Sequence, residues 1–450
     1  MALRADLRLA WELTRGSDRG EWWRITLTAT GAALATGFAL AAVALASLRG
    51  SYDVPVAAGL LNEPGTRSGV IAGLMLLLVP VLGFLGQCAR IGAVHRDRRL
   101  AGLRLAGATP WQVRRIAALE TGPACLAGSA VATVVSVLLL LRHWNRPTVL
   151  AWAGIALVAV GVPLLGAAAG ALALRRVVAS PLGWVRRIGP RTGRGPGLLF
   201  LAGVVLIGVV TLFAVLGTSS PAANRPHAGP PLTMVGVSLA VGAGAVWLSG
   251  AMARVTGRIL AARARSAAPL IAAERLRDDP WAAARTHAAV LLVTVAGGGF
   301  MGVRAVLLDR VHGTRRLAAS PDYYVTGLDL TGAAIAVAFA ITLSGLAVGT
   351  AESLATRRRG LAAQAAAGVP RAVLGRAPLL ETALPLAPAV LLAGLGGTAI
   401  AAWYALLGHS PFPWAAALVP LAVYAACLLA AATSLPLLRR SVHPGELRYA

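Results

Sequence analysis

Lysine is absent from this 450-residue chain, so that all 42 basic residues are arginine. Without lysine there is no P-loop, whose lysine reaches the β- and γ-phosphates of a bound nucleotide. Nor is there a Schiff-base lysine for carbonyl or pyridoxal phosphate chemistry. A P-loop ATPase is therefore not encoded here. Charge is also scarce, at 13% of residues against about 25% in an ordinary soluble domain. Only three cysteines occur, Cys88, Cys125 and Cys427, each inside an apolar run. They form neither a disulfide framework nor a CxxC metal pair and read as small buried hydrophobes. The seven histidines are scattered, with no pair at metal-ligand spacing. No Ser-His-Asp set, paired-carboxylate site or metal cluster stands out, and the chain reads as a non-catalytic protein with no cofactor of its own.

What is abundant is apolar: 57% of the residues are hydrophobic. A soluble domain of that composition would lack a polar coat, so lipid is the expected solvent. About 20 apolar residues cross a hydrocarbon core as a helix. Ten runs qualify: 25–48, 69–89, 119–141, 148–174, 197–217, 231–253, 288–308, 330–351, 379–407 and 414–438. None alternates polar and apolar as a barrel strand does, which predicts an all-α, polytopic membrane protein of ten transmembrane helices. The first 24 residues are too long and polar for a signal-peptide n-region. They read as an amphipathic cytoplasmic segment before an uncleaved anchor.

The arginines orient the chain. With the N-terminus inside, segments 1–24, 90–118, 175–196, 254–287, 352–378 and 439–450 hold 33 arginines and the outer segments hold 9. That split follows the positive-inside rule and predicts cytoplasmic N- and C-termini in the cell (inner or plasma) membrane. The net charge of +25 then lies mostly on the cytoplasmic face. It suits anionic lipid headgroups and not nucleic acid, for which no reading module is visible.

The chain also repeats itself. Residues 96–121, RDRRLAGLRLAGATPWQVRRIAALET, align without a gap on 357–382, RRRGLAAQAAAGVPRAVLGRAPLLET, at an offset of 261 with ten of 26 positions identical. The same offset pairs Arg24 with Arg285 and lays spans 1–4 over spans 7–10. The expected organisation is a first four-span repeat (25–174), an Arg/Gly/Pro linker (175–196), a two-span insert (197–253), an amphipathic cytoplasmic segment (254–287), a second four-span repeat (288–438) and a cytoplasmic tail (439–450). Both repeats begin on the same side and are parallel. The inverted repeats and mid-membrane charges of many ion-coupled carriers are not evident.

In each repeat the loop has one design. A basic cluster (Arg98; Arg359) precedes a helical stretch containing Leu103 and Arg104, or Leu361. A glycine (Gly107; Gly368) supplies the left-handed residue that ends it. A proline (Pro110; Pro370) then suits the start of a new helix. That helix carries Gln112 and Arg115, or Arg371 and Arg376, up to a carboxylate at the membrane boundary (Glu120; Glu381), where arginines one turn earlier are within reach.

The first copy resembles the cytoplasmic loop of FtsX-like/MacB-type ABC transporter permeases, L-R-x-L-G-A-x-x-x-Q-V-x-x-x-x-x-x-E. It does so through Leu103, Arg104, Leu105, Gly107, Ala108, Gln112, Val113 and Glu120, with Ala106 where the family has leucine before the glycine. The second copy keeps Gly368, Val369, Pro370 and Glu381 but has Gln364 and Ala365 in place of Leu-Arg. The ten-span layout is similar to the BceB-type branch. The resemblance implies that each loop is a coupling helix seated on a separate cytoplasmic ABC ATPase. Two ATPase copies would bind, ATP and magnesium residing there. It further implies that ATP-driven closure moves the spans and outer loops. The expected task is export or extraction of an amphiphilic or membrane-associated substrate, with antimicrobial peptides and drugs among the candidates, the amphiphilic character following from the short outer loops. The family's large extracytoplasmic domains are missing, since loops 49–68 and 309–329 have only about 20 residues each. An ion-gradient-driven transporter and a non-transporting scaffold or sensor partner are the rival readings. The first predicts an essential titratable residue in mid-span, the second no ATP dependence.

Overall fold

Long stretches of alanine, leucine and valine without internal charge leave the backbone no solvent to bond with in lipid, and helices satisfy every peptide group internally. The computed structural model describes residues 19–48, 50–51, 57–88, 102–143, 147–173, 229–278, 280–313 and 319–441. Among these there are helices and no strands. Eight helical stretches, one of them made of two helices that meet at Leu77, are long and apolar enough to cross a membrane. The protein is thus an all-α, multi-span membrane protein. The predicted run 197–217, the linker 175–196, Arg98, most of segment 1–24 and residues 442–450 lie outside the described residues. The run 231–253 falls within a 35-residue helix that is not among those eight.

The chain divides into two compact units. The first, residues 1–48 and 84–190, contains α1 (Arg19–Ala46), the end of a helix described below, α4 (Pro110–His143) and α5 (Val149–Ala173). Within it α1 packs along α4 and α5, and α4 along α5. A Cβ at Gly128 of α4 would overlap the carbonyl of Ala29 in α1, so the glycine is what lets these two backbones meet.

The second unit comprises residues 49–83 and 191–450. Its first part is a 3-10 turn (Ala57–Gly59), α2 (Pro64–Leu76) and most of α3 (Leu78–Cys88). The run 69–89, expected as one helix, breaks at Leu77. Pro80 has no N–H to offer the Leu76 carbonyl, which explains the break. Then follow α6 (Gly229–Arg263), α7 (Ala267–Asp278), α8 (Pro280–Gly313), α9 (Pro321–Thr356), α10 (Arg358–Ala366), α11 (Arg371–Gly408), α12 (Trp414–Ala432) and α13 (Leu435–Ser441). Helix α8 is central and packs on α11, α6, α9 and α12. The core between them holds Val290, Leu291, Leu346, Leu386, Ala389, Val390, Ala393, Val423 and Cys427. Gly297–Gly299 form a packing notch. Helix α8 runs through it unbroken, and a Cβ on Gly298 would stand 3.1 Å from the Cα of Gly397 in α11. Several hydroxyls inside the spans bond back to their own helices, as Thr294 does to the Val290 carbonyl (2.8 Å) and Thr342 to that of Ala338 (2.7 Å).

The short loop ahead of α2 is held from within. Arg67 is fully buried and donates from Nε to the Leu61 carbonyl (2.9 Å) and from Nη2 to the carbonyls of Asn62 (2.8 Å) and Gly50 (3.1 Å). The sequence had marked it only as one of nine outer arginines. Leu60 of the same loop packs beside Gly327 of α9.

Candidate functional site

Both loops singled out by the repeat close with the same backbone hydrogen bonds, shifted by 261 residues. In the first, the N–H groups of Ala106, Gly107 and Ala108 donate to the carbonyls of Gly102 (2.9 Å), Arg104 (3.1 Å) and Leu103 (2.9 Å). In the second, those of Ala367, Gly368 and Val369 donate to Ala363 (2.9 Å), Ala365 (3.0 Å) and Gln364 (3.0 Å). The pair of bonds from the last two N–H groups is a Schellman closure, which needs a left-handed residue after the helix end. Gly107 (φ +98°) and Gly368 (φ +87°) supply it, where any side chain would be strained.

What surrounds this shared backbone differs. In the first copy, Thr109 N–H donates to Gln112 Oε1 (2.8 Å) and Gln112 N–H donates to Thr109 Oγ1 (3.2 Å). That reciprocal pair is a capping box at the head of α4. Arg104 folds back and donates from Nη1 to the Ala108 carbonyl (2.7 Å), holding the turn from its other side. In the second copy Pro370 is the N-cap of α11 and makes no side-chain cap, Val373 and Leu374 donating to its carbonyl instead (2.9 and 3.3 Å). Stability there comes from below. Leu361 of α10 is buried with Leu354, Leu374 and Leu438, so it anchors the loop and presents nothing outward. The side-chain carbonyl of Gln364 is buried with no hydrogen-bond partner among the described residues. Gly107, Gly368, Pro370, Arg359, Arg371 and Arg376 are exposed, whereas Leu103, Arg104, Ala108, Gln112, Arg115 and Val369 are half-buried. An open groove of about 350 Å³ runs along the second turn, between Ala362, Ala366, Val369 and Arg371.

Each carboxylate is gripped by arginine from a distant part of its own unit. Glu120 of α4 accepts from Nη2 of Arg24 in α1 at 2.9 Å, with both side chains buried. The sequence expected arginines one turn away and gave Arg24 no role; the fold supplies a partner 96 residues earlier. Glu381 of α11 takes Nη1 of Arg357 at 2.9 Å and Nη1 of Arg275, from α7, at 3.4 Å. Burial, and then the neighbouring Arg357, hold the Arg275 guanidinium below the ordinary arginine value, while Glu381 works in the opposite direction. The carboxylates therefore tie the start of each post-turn helix to a helix that precedes the repeat's first span or begins it. Among the described residues no three His, Cys, Asp or Glu come together as a metal site.

The geometry defines a multi-span membrane protein with two matched, exposed, basic turns at helix heads. Residues 70–182, a stretch that contains the first turn and Glu120, match the model of the FtsX-like permease C-terminal family and are similar to it. The match supports an ABC-type permease subunit, integral to the membrane and generally without catalysis of its own. No curated protein matches the chain.

Proposed function

We propose that the protein is the membrane subunit of an ABC transporter whose ATPase is a separate cytoplasmic chain. One ATPase copy sits on each turn, 102–109 and 363–370, and ATP with magnesium is bound and hydrolysed there. Both termini are cytoplasmic, and the work of ATP-driven closure passes from each turn through a rigid helix head into α4 and α11. The observation that carries this reading is the shared Schellman turn followed by an arginine-held carboxylate, the first example lying inside the FtsX-like stretch. Substrate reaches the spans laterally and is amphiphilic, because the outer loops 49–68 and 309–329 are too short for a receptor domain. Exposed Arg254, Arg258, Arg263 and Arg265 at the basic end of α6 and just beyond it suit anionic headgroups.

Co-expression with an ABC ATPase encoded beside this gene tests the proposal. With the tag on the membrane chain, the ATPase co-purifies at two copies per chain. A membrane chain that purifies folded without any ATPase, from cells that make both, would falsify the reading.

A further inference from the structure

The two turns carry the same backbone and the same charge but not the same side chains at their tips. Sequence 96–115 bears six arginines and one aspartate, and 357–376 bears five arginines and no acid, so each is +5. Leu105 and Trp111 flank the first turn and are 62% and 68% exposed. At an offset of 261 the second turn has Ala366 and Ala372, also exposed.

An exposed tryptophan near a membrane is ordinarily an interfacial anchor, and depth argues against that role here. The apolar run 119–141 of α4 is long enough, at about 1.5 Å per residue, to fill a hydrocarbon core of about 30 Å. Trp111 lies eight residues before it on the same continuous helix, hence about 12 Å outside the core. The headgroup layer is only about 5–8 Å thick on each side. On that spacing Trp111 falls beyond the headgroup layer, next to a turn fixed by a capping box and by Arg104. Large aromatic side chains on pre-organised backbone carry most of the energy of protein interfaces.

We infer that Trp111 and Leu105 are the anchor of the first turn in an apolar, acid-rimmed pocket of the ATPase subunit, and that the second turn docks without an anchor. This rests on the function proposed above. The shared +5 brings both turns to the same acidic surface, and the apolar pair makes one contact tight. At the places of Leu105 and Trp111 the second turn has only alanines, beside its open groove, so it meets the like surface of the second ATPase copy weakly. One ATPase copy stays attached while the other can leave and return.

The test uses the full chain in membranes of its own host, with the photo-crosslinking residue benzoylphenylalanine placed singly at 105, 111, 366 and 372. These positions are exposed, so the fold is retained. The expected result is adducts at 105 and 111 that contain peptides of an ABC ATPase, identified by its P-loop peptide. Their yield should be at least tenfold that at 366 and 372. Equal yields at all four positions would overturn the asymmetry and leave ATPase docking standing. Adducts of lipid alone at 111 would overturn the anchor in favour of the membrane. Absence of ATPase peptides at every position would remove the proposed function together with the inference. As a gain-of-contact control, Ala372→Trp should tighten retention of the second ATPase copy about tenfold, and no change would also count against the inference.

Discussion

Around Gly107 the turn is clasped by its own side chains, Arg104 on one side and the Thr109–Gln112 box on the other, and its carboxylate is paired in a buried site with Arg24. Around Gly368 the same backbone rests on an apolar cluster through Leu361, has no side-chain cap, and shares its carboxylate between two partly exposed arginines. The difference teaches that this backbone geometry can be kept by local polar closure or by packing underneath. Once the geometry is secured, the tip residues are free to diverge.

The buried pair should give the largest effect. Removing one partner of a buried ion pair costs about 3–5 kcal/mol, because the other charge stays desolvated. Arg24→Ala or Glu120→Gln should therefore lower the thermal midpoint of the purified protein strongly, and the double variant R24L/E120L should recover most of the loss. Glu381→Gln should cost about 1 kcal/mol or less, since its partners are partly solvated. Equal losses at 120 and 381 would break the comparison.

Gly107→Ala and Gly368→Ala should come next, at about 1–2 kcal/mol each for an L-residue forced into the left-handed region. Here the two copies should agree, and hydrogen exchange at residues 106–108 and 367–369 is the readout. A marked inequality would mean that the turns differ in backbone as well as in support. Smaller still, Gln112→Ala should weaken the head of α4 by about 1 kcal/mol through loss of the box, while Val373→Ala at the matching place removes no cap. Gln364→Leu, which restores the apolar residue of the first copy and relieves a buried unsatisfied carbonyl, should stabilise the second copy by about 1 kcal/mol. A destabilising Gln364→Leu would mean that the amide has a partner in the working protein.

The helical membrane fold was legible because apolar runs long enough to span admit little else. The turns were legible because glycine after a helical stretch, followed by proline, has one cheap geometry, and both copies adopt it. The Thr109–Gln112 box could have been read too, since T-P-W-Q has threonine and glutamine at the capping spacing. Arg24 and Arg275 could not. Their partners lie 96 and 106 residues away, and only packing of α1 on α4 and of α7 on α11 brings them together. Arg67 was counted as an ordinary outer charge because nothing in sequence announces three backbone carbonyls waiting in a folded loop. Leu361 was placed in the docking surface by its position in the repeat, whereas burial makes it a foundation. The break at Leu77 was available from Pro80.

The central claim is that the two turns pass work between a separate ATPase and the spans. It is tested most directly by ATP turnover of the ATPase–membrane complex in proteoliposomes, comparing the native chain with one whose residues 103–109 and 364–370 are replaced by glycine-serine stretches of equal length. Turnover that falls at least tenfold, to the rate of the ATPase alone, while the helical content of the membrane chain is unchanged, is the expected result. Undiminished turnover in a complex that still holds its ATPase would contradict the account.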